Sequence, residues 1–596
     1  MSLKSEAIRL LGEIATMLEL LGEDRFRVNA HAQAARSLES FAGELEPIVD
    51  DPERLRAIPG VGQRIADKIA ELHATGRISE HDELARRVPK GLFEVLAVPG
   101  LGPKTVRAMW DQLGVQSIED LKRIIDDGTI MTLPRMGAKT VANIKASLAF
   151  METSGDRIPL GLALPLAERV VAHMRTLANA THIAFAGSLR RGRDTIGDVD
   201  ILVASDEPEA ASELFCGMPG VTEVLAAGRS KSSVRMRLSS DAGRWGAEDD
   251  RVAQVDLRVV PEESWGAALM YFSGSKEHNV RLRERAIRRG LTLNEYGLYP
   301  LDDDPKPPQE RGVVPVAGRS EQSVYEALEL PYIPPEIRED QGEFALTQTP
   351  DLIEGSDIRA ELHAHTRESD GRLSLDELVR SAIARGFHTI AVTDHSRSSV
   401  QAGGLTVERL RAQREQIEQA RERFGSQITI LHGCEVDILA DGSLDFDDQT
   451  LGWLDMVVAS PHAALSQDSK TATARLIRAV SHPLVNILGH PTGRLIGRRK
   501  GLEPDMSEVI AAAVEHDTAL EINAHWLRLD LRDVHVRAAV DAGAMIAIDC
   551  DVHEAEDFDN LRYGVLTARR GWVSPACCVN TWSAGRLHAW LARHRS

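Results

Sequence analysis

At 596 residues the chain has room for roughly four domains of about 150 residues. Its 70 Lys and Arg against 90 Asp and Glu leave a net charge of −20, so it is no basic coat for nucleic acid, although locally placed donors still suffice to bind DNA. Aromatics at 4 % are too few for base-stacking platforms, and the five cysteines (Cys216, Cys434, Cys550, Cys577 and Cys578) show neither metal spacing nor a disulfide framework. Glu13 breaks the first apolar stretch, so no signal-peptide core is expected, and no run of about 18 apolar residues offers a membrane span. These features point to a soluble, multidomain protein of a reducing compartment; a cytoplasmic location and a monomer are the expectations.

Residues 5–41 carry a helical period through Ile8, Leu11, Ile14, Leu18 and Leu21, and helical signals run on to about residue 150. Within them IPGVGQRIADKI (58–69), VPGLGPKTVRAM (98–109) and LPRMGAKTVANI (133–144) repeat a turn of apolar-Pro-x-x-Gly before a helix. Glycines there leave backbone N–H groups facing an anion. A nucleotide P-loop would need Gly directly before Lys-[Ser/Thr], where Pro103 and Ala138 stand instead. A plain helical corner is the bland alternative. The repeat resembles the helix-hairpin-helix motif, which grips a DNA phosphate; the resemblance implies contacts from Gly60, Gly62, Gly100, Gly102 and Lys104. The third copy has Arg135 in place of the first glycine, which puts its grip in doubt.

From residue 184 strands appear (IAFAG, VDILVA, QVDLRVV), separated by helices. In AGSLRRGRDTIGDVDILVA (186–204), Asp198 and Asp200 alternate onto one strand face. Adjacent carboxylates repel unless a hard cation sits between them. Gly187, Ser188, Arg190 and Arg191 offer donors suited to a triphosphate, and Asp256 in the QVDLR strand supplies a third acid. Three acids around two metals suit phosphoryl transfer.

These residues, with YFSGSKEHNVRLRERA (271–286) and LTLNEYGLY (291–299), resemble the DNA polymerases of family X, in their bacterial branch. The resemblance implies that Asp198, Asp200 and Asp256 hold two Mg²⁺ ions, with Mn²⁺ an alternative. It further implies that Gly187, Ser188, Gly197 and Arg191 contact the nucleotide phosphates, that Tyr271, Phe272 and Gly274 line the sugar pocket, and that Asn279 and Arg283 face the base pair and template. Ser273 stands where the family usually has Thr.

Two Pro-rich stretches, 301–318 and 330–340, read as a surface excursion and the approach to a linker. Beyond residue 357 the strands TIAVTD, ITILHG, MVVASP, NILGHP, ALEIN and MIAID alternate with helices, which predicts a parallel sheet or βα barrel. His363, His365, Asp370, His395, Glu435, His462, His490, Asp551 and His553 mostly follow those strands, where βα barrels build their sites, and their mixture of imidazole and carboxylate suits Zn²⁺ or Mn²⁺. LHAHTRESDG, AVTDHS, CEVDIL, ASPH, GHPTGR and IDCDVH resemble the PHP (polymerase and histidinol phosphatase) domain, a distorted (βα)7 barrel with up to three metals. Carried over by motif, one metal takes His363, His365, Glu435 and Asp551. A second shares Glu435 and takes His462 and His490; a third takes Asp370, His395 and His553. Arg494 and Arg528 are candidate phosphate clamps or surface ion pairs. Cys434 and Cys550 read as small core residues.

LGEDRFRVNAHAQAARSLES (21–40) resembles the helical 5′-phosphate-binding domain of family X, whose lysine in some members opens abasic sites by Schiff-base chemistry. That lysine aligns with Lys68. Here Asn29, His31, Ala32 and Gln33 replace a mostly cationic stretch, and an ordinary solvated lysine is the preferred reading.

The expected order is a helical DNA-binding domain (1–80), a helical fingers-type domain (81–150), a nucleotidyltransferase palm (151–262), a thumb (263–335), a linker (336–356) and a PHP phosphoesterase (357–596). The expected function is repair: filling of gapped or primed double-stranded DNA from dNTPs, with a Mn²⁺-dependent 3′→5′ exonuclease that could extend to abasic-site cleavage. An end-bridging scaffold and a small-molecule phosphatase are the competing readings. Phosphate-backbone grips are useless to a phosphatase, and clustered acids repel DNA unless metals sit among them.

Overall fold

A computed structural model describes the chain except residues 1–2, 41–44, 46–47, 59, 97, 99–100, 135, 139, 143, 146–147, 149–156, 239–250, 305 and 594–596. Gly100 and Arg135 therefore lie outside the described residues. The fold divides into two compact units, one formed by the N-terminal residues up to 155, the other by the bulk of the chain beyond them.

The N-terminal unit is helical. Its first apolar period breaks into two helices, Leu3–Leu21 and Arg25–Ser40, because Gly22 takes a left-handed φ of 66°. Leu11, Ile14 and Leu18 are fully buried in one core that extends to Leu148. The helices Gln63–Thr75 and Pro103–Leu113 begin at Gly62 and Gly102, neither of which gives a side-chain cap. Their first N–H groups are thus not satisfied by a capping side chain, as an anion grip requires.

The larger unit opens with a five-stranded sheet: β1 (Ala180–Phe185), β2 (Val199–Ser205), β3 (Val221–Ala227), β4 (Lys231–Arg237) and β5 (Val252–Val260), in the order β1-β2-β5-β4-β3. β2 and β5 run parallel, with Asp200 directly opposite Asp256. A helical segment follows, through Trp265–Ser273 and Lys276–Arg288, then the hairpin Leu291–Asn294 and Gly297–Pro300.

The two Pro-rich stretches behave differently. Residues 301–304 and 306–316 run over the surface, where Val314 is 81 % exposed. The 330–340 stretch is packed: Ile333, Ile337 and Arg338 are buried in the core that holds Tyr325, and Glu343, in the span expected as a linker, is fully buried too. Arg338 donates to Glu321 at 2.6 Å and to the Ile333 carbonyl at 2.9 Å, so a charge-paired anchor stands where prolines suggested a loose connection.

Seven parallel strands complete the chain: β6 (Ala360–Glu361), β7 (Thr389–Val392), β8 (Thr429–Asp437), β9 (Met456–Ser460), β10 (Ile487–Leu488), β11 (Ala519–Asn523) and β12 (Ile546–Asp549), paired in sequence order. A parallel bridge between Ala364 and Val552 brings the last strand back to the first, so the barrel is nearly closed. Near-continuous apolar strands bury both faces, as parallel sheets require. Cys434 and Cys550 lie in this core.

Candidate functional site

Two clusters of titratable residues occupy the larger unit. In the first, ligand atoms of Asp198, Asp200 and Asp256 lie within 4.8 Å of one another. The β2/β5 register sets the second beside the third, and the two-residue period of β2 brings Asp198 to the same face. Burial, then the charges of Asp198 and Asp256, push the Asp200 carboxyl up to about 7. Such a repelling donor set fits a divalent cation. Lys231 on β4 meets Asp256 at 2.7 Å, and Gln254 donates to it at 3.0 Å. Gly187 has a φ of 64°, and an added Cβ would collide with the Asp200 carboxylate, so only glycine lets the loop pass this close.

Ser188 follows Gly187 on one short helix, and Gly197 is exposed just before Asp198. Arg190 forks onto Glu321 at 2.6 and 2.8 Å and reaches the Ser273 hydroxyl at 2.6 Å. Arg191 donates to Glu339 at 3.1 Å and to the Ser273 carbonyl. Tyr271 and Phe272 meet edge to face at 5.3 Å, and Arg258 stacks on Phe272 at 5.0 Å. Gly274 ends their helix at a φ of 70°. Asn279 caps the Tyr271 carbonyl at 2.7 Å, and Arg283 stands exposed one turn further on.

The second cluster joins all nine expected barrel ligands. His363 and His365 follow β6, His395 follows β7, Glu435 lies in β8, His462 follows β9, His490 follows β10, and Asp551 and His553 follow β12. All stand at the carboxyl ends of the strands. Glu435 lies 2.8 Å from His395, 2.9 Å from His490, 3.2 Å from His462, 3.3 Å from His363 and 3.6 Å from His365. Asp551 approaches His365 at 3.1 Å, and Asp370 approaches His553 at 3.3 Å and His395 at 3.4 Å.

Ligand atoms converge as three groups: His363, His365 and Asp551; His395, Glu435 and His462; and His365, Asp370, His395 and His553. His365 and His395 thus straddle the groups that the PHP resemblance kept apart. Buried atoms of His363 (Nε2), His365 (both nitrogens), His395 (Nδ1), Glu435 (Oε2) and Asp551 (Oδ1) find no hydrogen-bond partner, although they face one another. Metal ions satisfy donors so arranged. Burial pushes the Glu435 carboxyl up, but His462, His395 and His363 outweigh it and hold it well below the usual range. Burial, then Arg528, push the His490 imidazole down to about 3, leaving it neutral as a ligand must be.

Orienting residues were missed by motif reasoning. Glu521 accepts from His363 Nδ1 at 2.6 Å and from the His490 backbone at 2.6 Å; Asp437 holds His462 Nδ1; Asn523 donates to Asp551 at 3.0 Å. A polar residue near a strand's carboxyl end was the available signal.

Arg494 is not a free phosphate clamp. It is 8 % exposed, and its donors go to the Arg528 carbonyl at 2.8 Å, the Leu529 carbonyl and Asp194 at 3.0 Å. Arg528 stays partly exposed, 3.7 Å from Asp551.

In the N-terminal unit, Gly60 and Gly62 are exposed beside the first hairpin helix, and Gly102 and Lys104 beside the second. Lys68 is not a solvated lysine: its Nζ pairs with Glu80 at 2.9 Å, and Glu80 also binds Arg27 at 2.6 Å and His31 at 3.4 Å. Asn29 and Gln33 are exposed and uncharged, Ala32 half-buried.

Residues 157–260 match the DNA polymerase beta palm family and 268–339 the DNA polymerase beta thumb. Residues 3–78 match a helix-hairpin-helix domain, 93–149 a SAM-like helix-hairpin-helix tandem, and 361–525 the PHP domain. The DNA polymerase/3′-5′ exonuclease PolX of Bacillus subtilis (strain 168) is 35 % identical over 592 residues, 99 % of this chain and 100 % of its own length. The chain belongs to DNA polymerase family X, in the branch that carries a PHP domain. DNA polymerase lambda of Rattus norvegicus is 26 % identical over 53 % of each chain, and that of Arabidopsis thaliana is 25 % identical over 55 % of this chain and 61 % of its own. The PHP match ends at residue 525; Asp551 and His553, expected from IDCDVH, join the barrel cluster by their geometry. Among the described residues no helix is long and apolar enough to cross a membrane.

Proposed function

We propose that Asp198, Asp200 and Asp256 carry template-directed nucleotide addition at gaps in duplex DNA, and that the nine barrel residues carry 3′→5′ excision. The chain is a DNA-directed DNA polymerase with a metal-dependent phosphodiesterase. Bound divalent cations, Mg²⁺ at the palm acids and up to three Mn²⁺ or Zn²⁺ ions in the barrel, supply neutralising charge and an activated attacking oxygen.

The palm acids would hold the cations, with Asp200 and Asp256 set opposite each other on paired strands. Ser188 and Arg191 orient the triphosphate, Gly187 and Gly197 let it approach the backbone, and Tyr271, Phe272 and Gly274 enclose the sugar. Asn279 and Arg283 face the base pair, while Gly60, Gly62, Gly102 and Lys104 grip duplex phosphates without reading sequence. In the barrel, Glu521 and Asp437 fix the ring orientations of His363 and His462, and Arg528 meets the scissile phosphate at the rim. The enzyme acts as a monomer on DNA, with domains divided near residues 80, 150 and 262 and the 336–356 segment packed with the thumb core.

One observation carries this reading: two separate donor sets, sharing no residue, stand in one chain. The test is a 5′-labelled primer in a gapped duplex, incubated with Mg²⁺ or Mn²⁺ and with or without dNTPs. Extension with dNTPs and stepwise shortening without them are expected. Retention of an intact primer in both arms would leave only a scaffold.

A further inference from the structure

Arg191 is held by a carboxylate that it does not own alone. The Glu339 oxygen that accepts from Arg191 Nε at 3.1 Å also accepts from Arg570 Nη1 at 2.9 Å, and Arg193 lies 3.8 Å from it. Arg570 belongs to the barrel, on the helix Leu561–Arg570, and its side chain is only 4 % exposed. The same Nη1 also lies 2.8 Å from the Arg191 carbonyl and 3.3 Å from the Glu336 carbonyl, while Nε and Nη2 go to Asp533 at 2.8 and 2.7 Å. A residue of the PHP barrel therefore touches both the backbone of the Gly-Ser-x-Arg-Arg-Gly loop and the counter-ion of its second arginine. Three guanidiniums, Arg191, Arg193 and Arg570, face two carboxylates, Glu339 and Asp533, which leaves this cluster net cationic at the end of the Gly-Ser-x-Arg-Arg-Gly loop.

We propose that Arg570 is a positioning residue for the polymerase site: by sharing Glu339 it keeps Arg191 from being neutralised, and so available to the triphosphate of the incoming nucleotide. The proposal rests on the reading of Arg191 as a phosphate contact. A triphosphate must compete with Glu339 for Arg191, and it competes better when part of the Glu339 charge is already engaged elsewhere. Without Arg570 the two carboxylates would balance the remaining pair of guanidiniums. The attraction for a polyanion would fall, while the palm acids that carry the chemistry would be untouched. The effect belongs in KM for the nucleotide and not in kcat.

The test uses the full chain, a gapped duplex and steady-state extension at varied dNTP. Arg570→Met should raise KM about fivefold with kcat within about twofold of wild type, whereas Arg570→Lys should leave both within about twofold. Glu339→Gln should lower KM, and the double variant Arg570→Met with Glu339→Gln should return it to within about twofold of wild type. Rescue of this kind is not what a packing role gives; a double variant as impaired as Arg570→Met, or more so, overturns the proposal. If Arg570→Met does not fold, Glu339→Gln decides alone, and an unchanged or raised KM overturns the proposal. Arg191→Met is measured beside them. An unchanged KM there removes the phosphate contact itself, whereas a raised KM with no effect of Arg570→Met removes only the positioning role.

Discussion

Glu435 lies within 4 Å of five imidazoles, more than any other carboxylate of the barrel meets. Removing it leaves those rings without their shared counter-charge, whereas removing His365 takes away one donor. Glu435→Ala should therefore lower exonuclease activity by more than about 100-fold, and His365→Ala by less, with nucleotide addition retained in both. Metal content of the purified full chain, measured by mass spectrometry, should fall in the same order; unchanged content in Glu435→Ala would contradict the ligand assignment. Lys68 yields a different expectation. Its amine is paired with Glu80, which must be displaced before the nitrogen attacks a sugar, and Asn29, Ala32 and Gln33 supply no charge to hold a 5′-phosphate. Borohydride trapping on a 5′-deoxyribose-phosphate end should give little adduct. A strong adduct that is lost in Lys68→Ala would show that the pair opens on DNA.

Between elements, Glu321 ties the short helix of Arg190 to the packed segment of Arg338. Burial pushes its carboxyl up, but Arg338 and Arg190 outweigh that and bring it to about 2, below the ordinary carboxylate value of 4.5. A depressed folded value contributes stability that is complete above the unfolded value and is lost as pH falls through the folded one. The melting temperature of wild type should thus exceed that of Glu321→Gln at neutral pH, by a difference reflecting about 3 kcal/mol for a broken buried pair, and the gap should close as pH falls from about 4.5 toward 2. A gap independent of pH would mean that shape, not charge, holds the junction. None of this was legible in the sequence, because Glu321 lies 131 residues from Arg190. What could be read were local periods. Each of the six barrel strands taken from short apolar runs forms, and the ligands follow them because strand ends are marked by the change from apolar to polar. Register was not readable: QVDLR showed a third acid, but only the parallel pairing of β2 with β5 sets it opposite Asp200. β3 and β4 escaped notice because β3 is largely exposed and lacks an apolar alternation. Arg494 looked like a phosphate clamp because its partner Asp194 is 300 residues away.

Across the larger unit, palm, thumb and barrel interlock. Gly161 packs so closely on Trp526 that a Cβ would collide with the ring, Arg494 reaches Asp194, and Arg570 reaches Glu339. A fragment cut at residue 357 would leave Arg494 and Arg570 without those partners, so metal content and activity belong to measurements on the whole chain. The two donor sets nevertheless remain chemically separate, with the palm acids on paired strands and the barrel ligands at strand ends. The most direct measurement of that separation is the double variant Asp198→Asn, Asp200→Asn on one labelled, gapped duplex. Loss of extension with dNTPs, by more than about 1,000-fold, together with shortening at close to the wild-type rate in Mn²⁺ is the result that independent sites predict; loss of both activities in a variant that melts like wild type would contradict it.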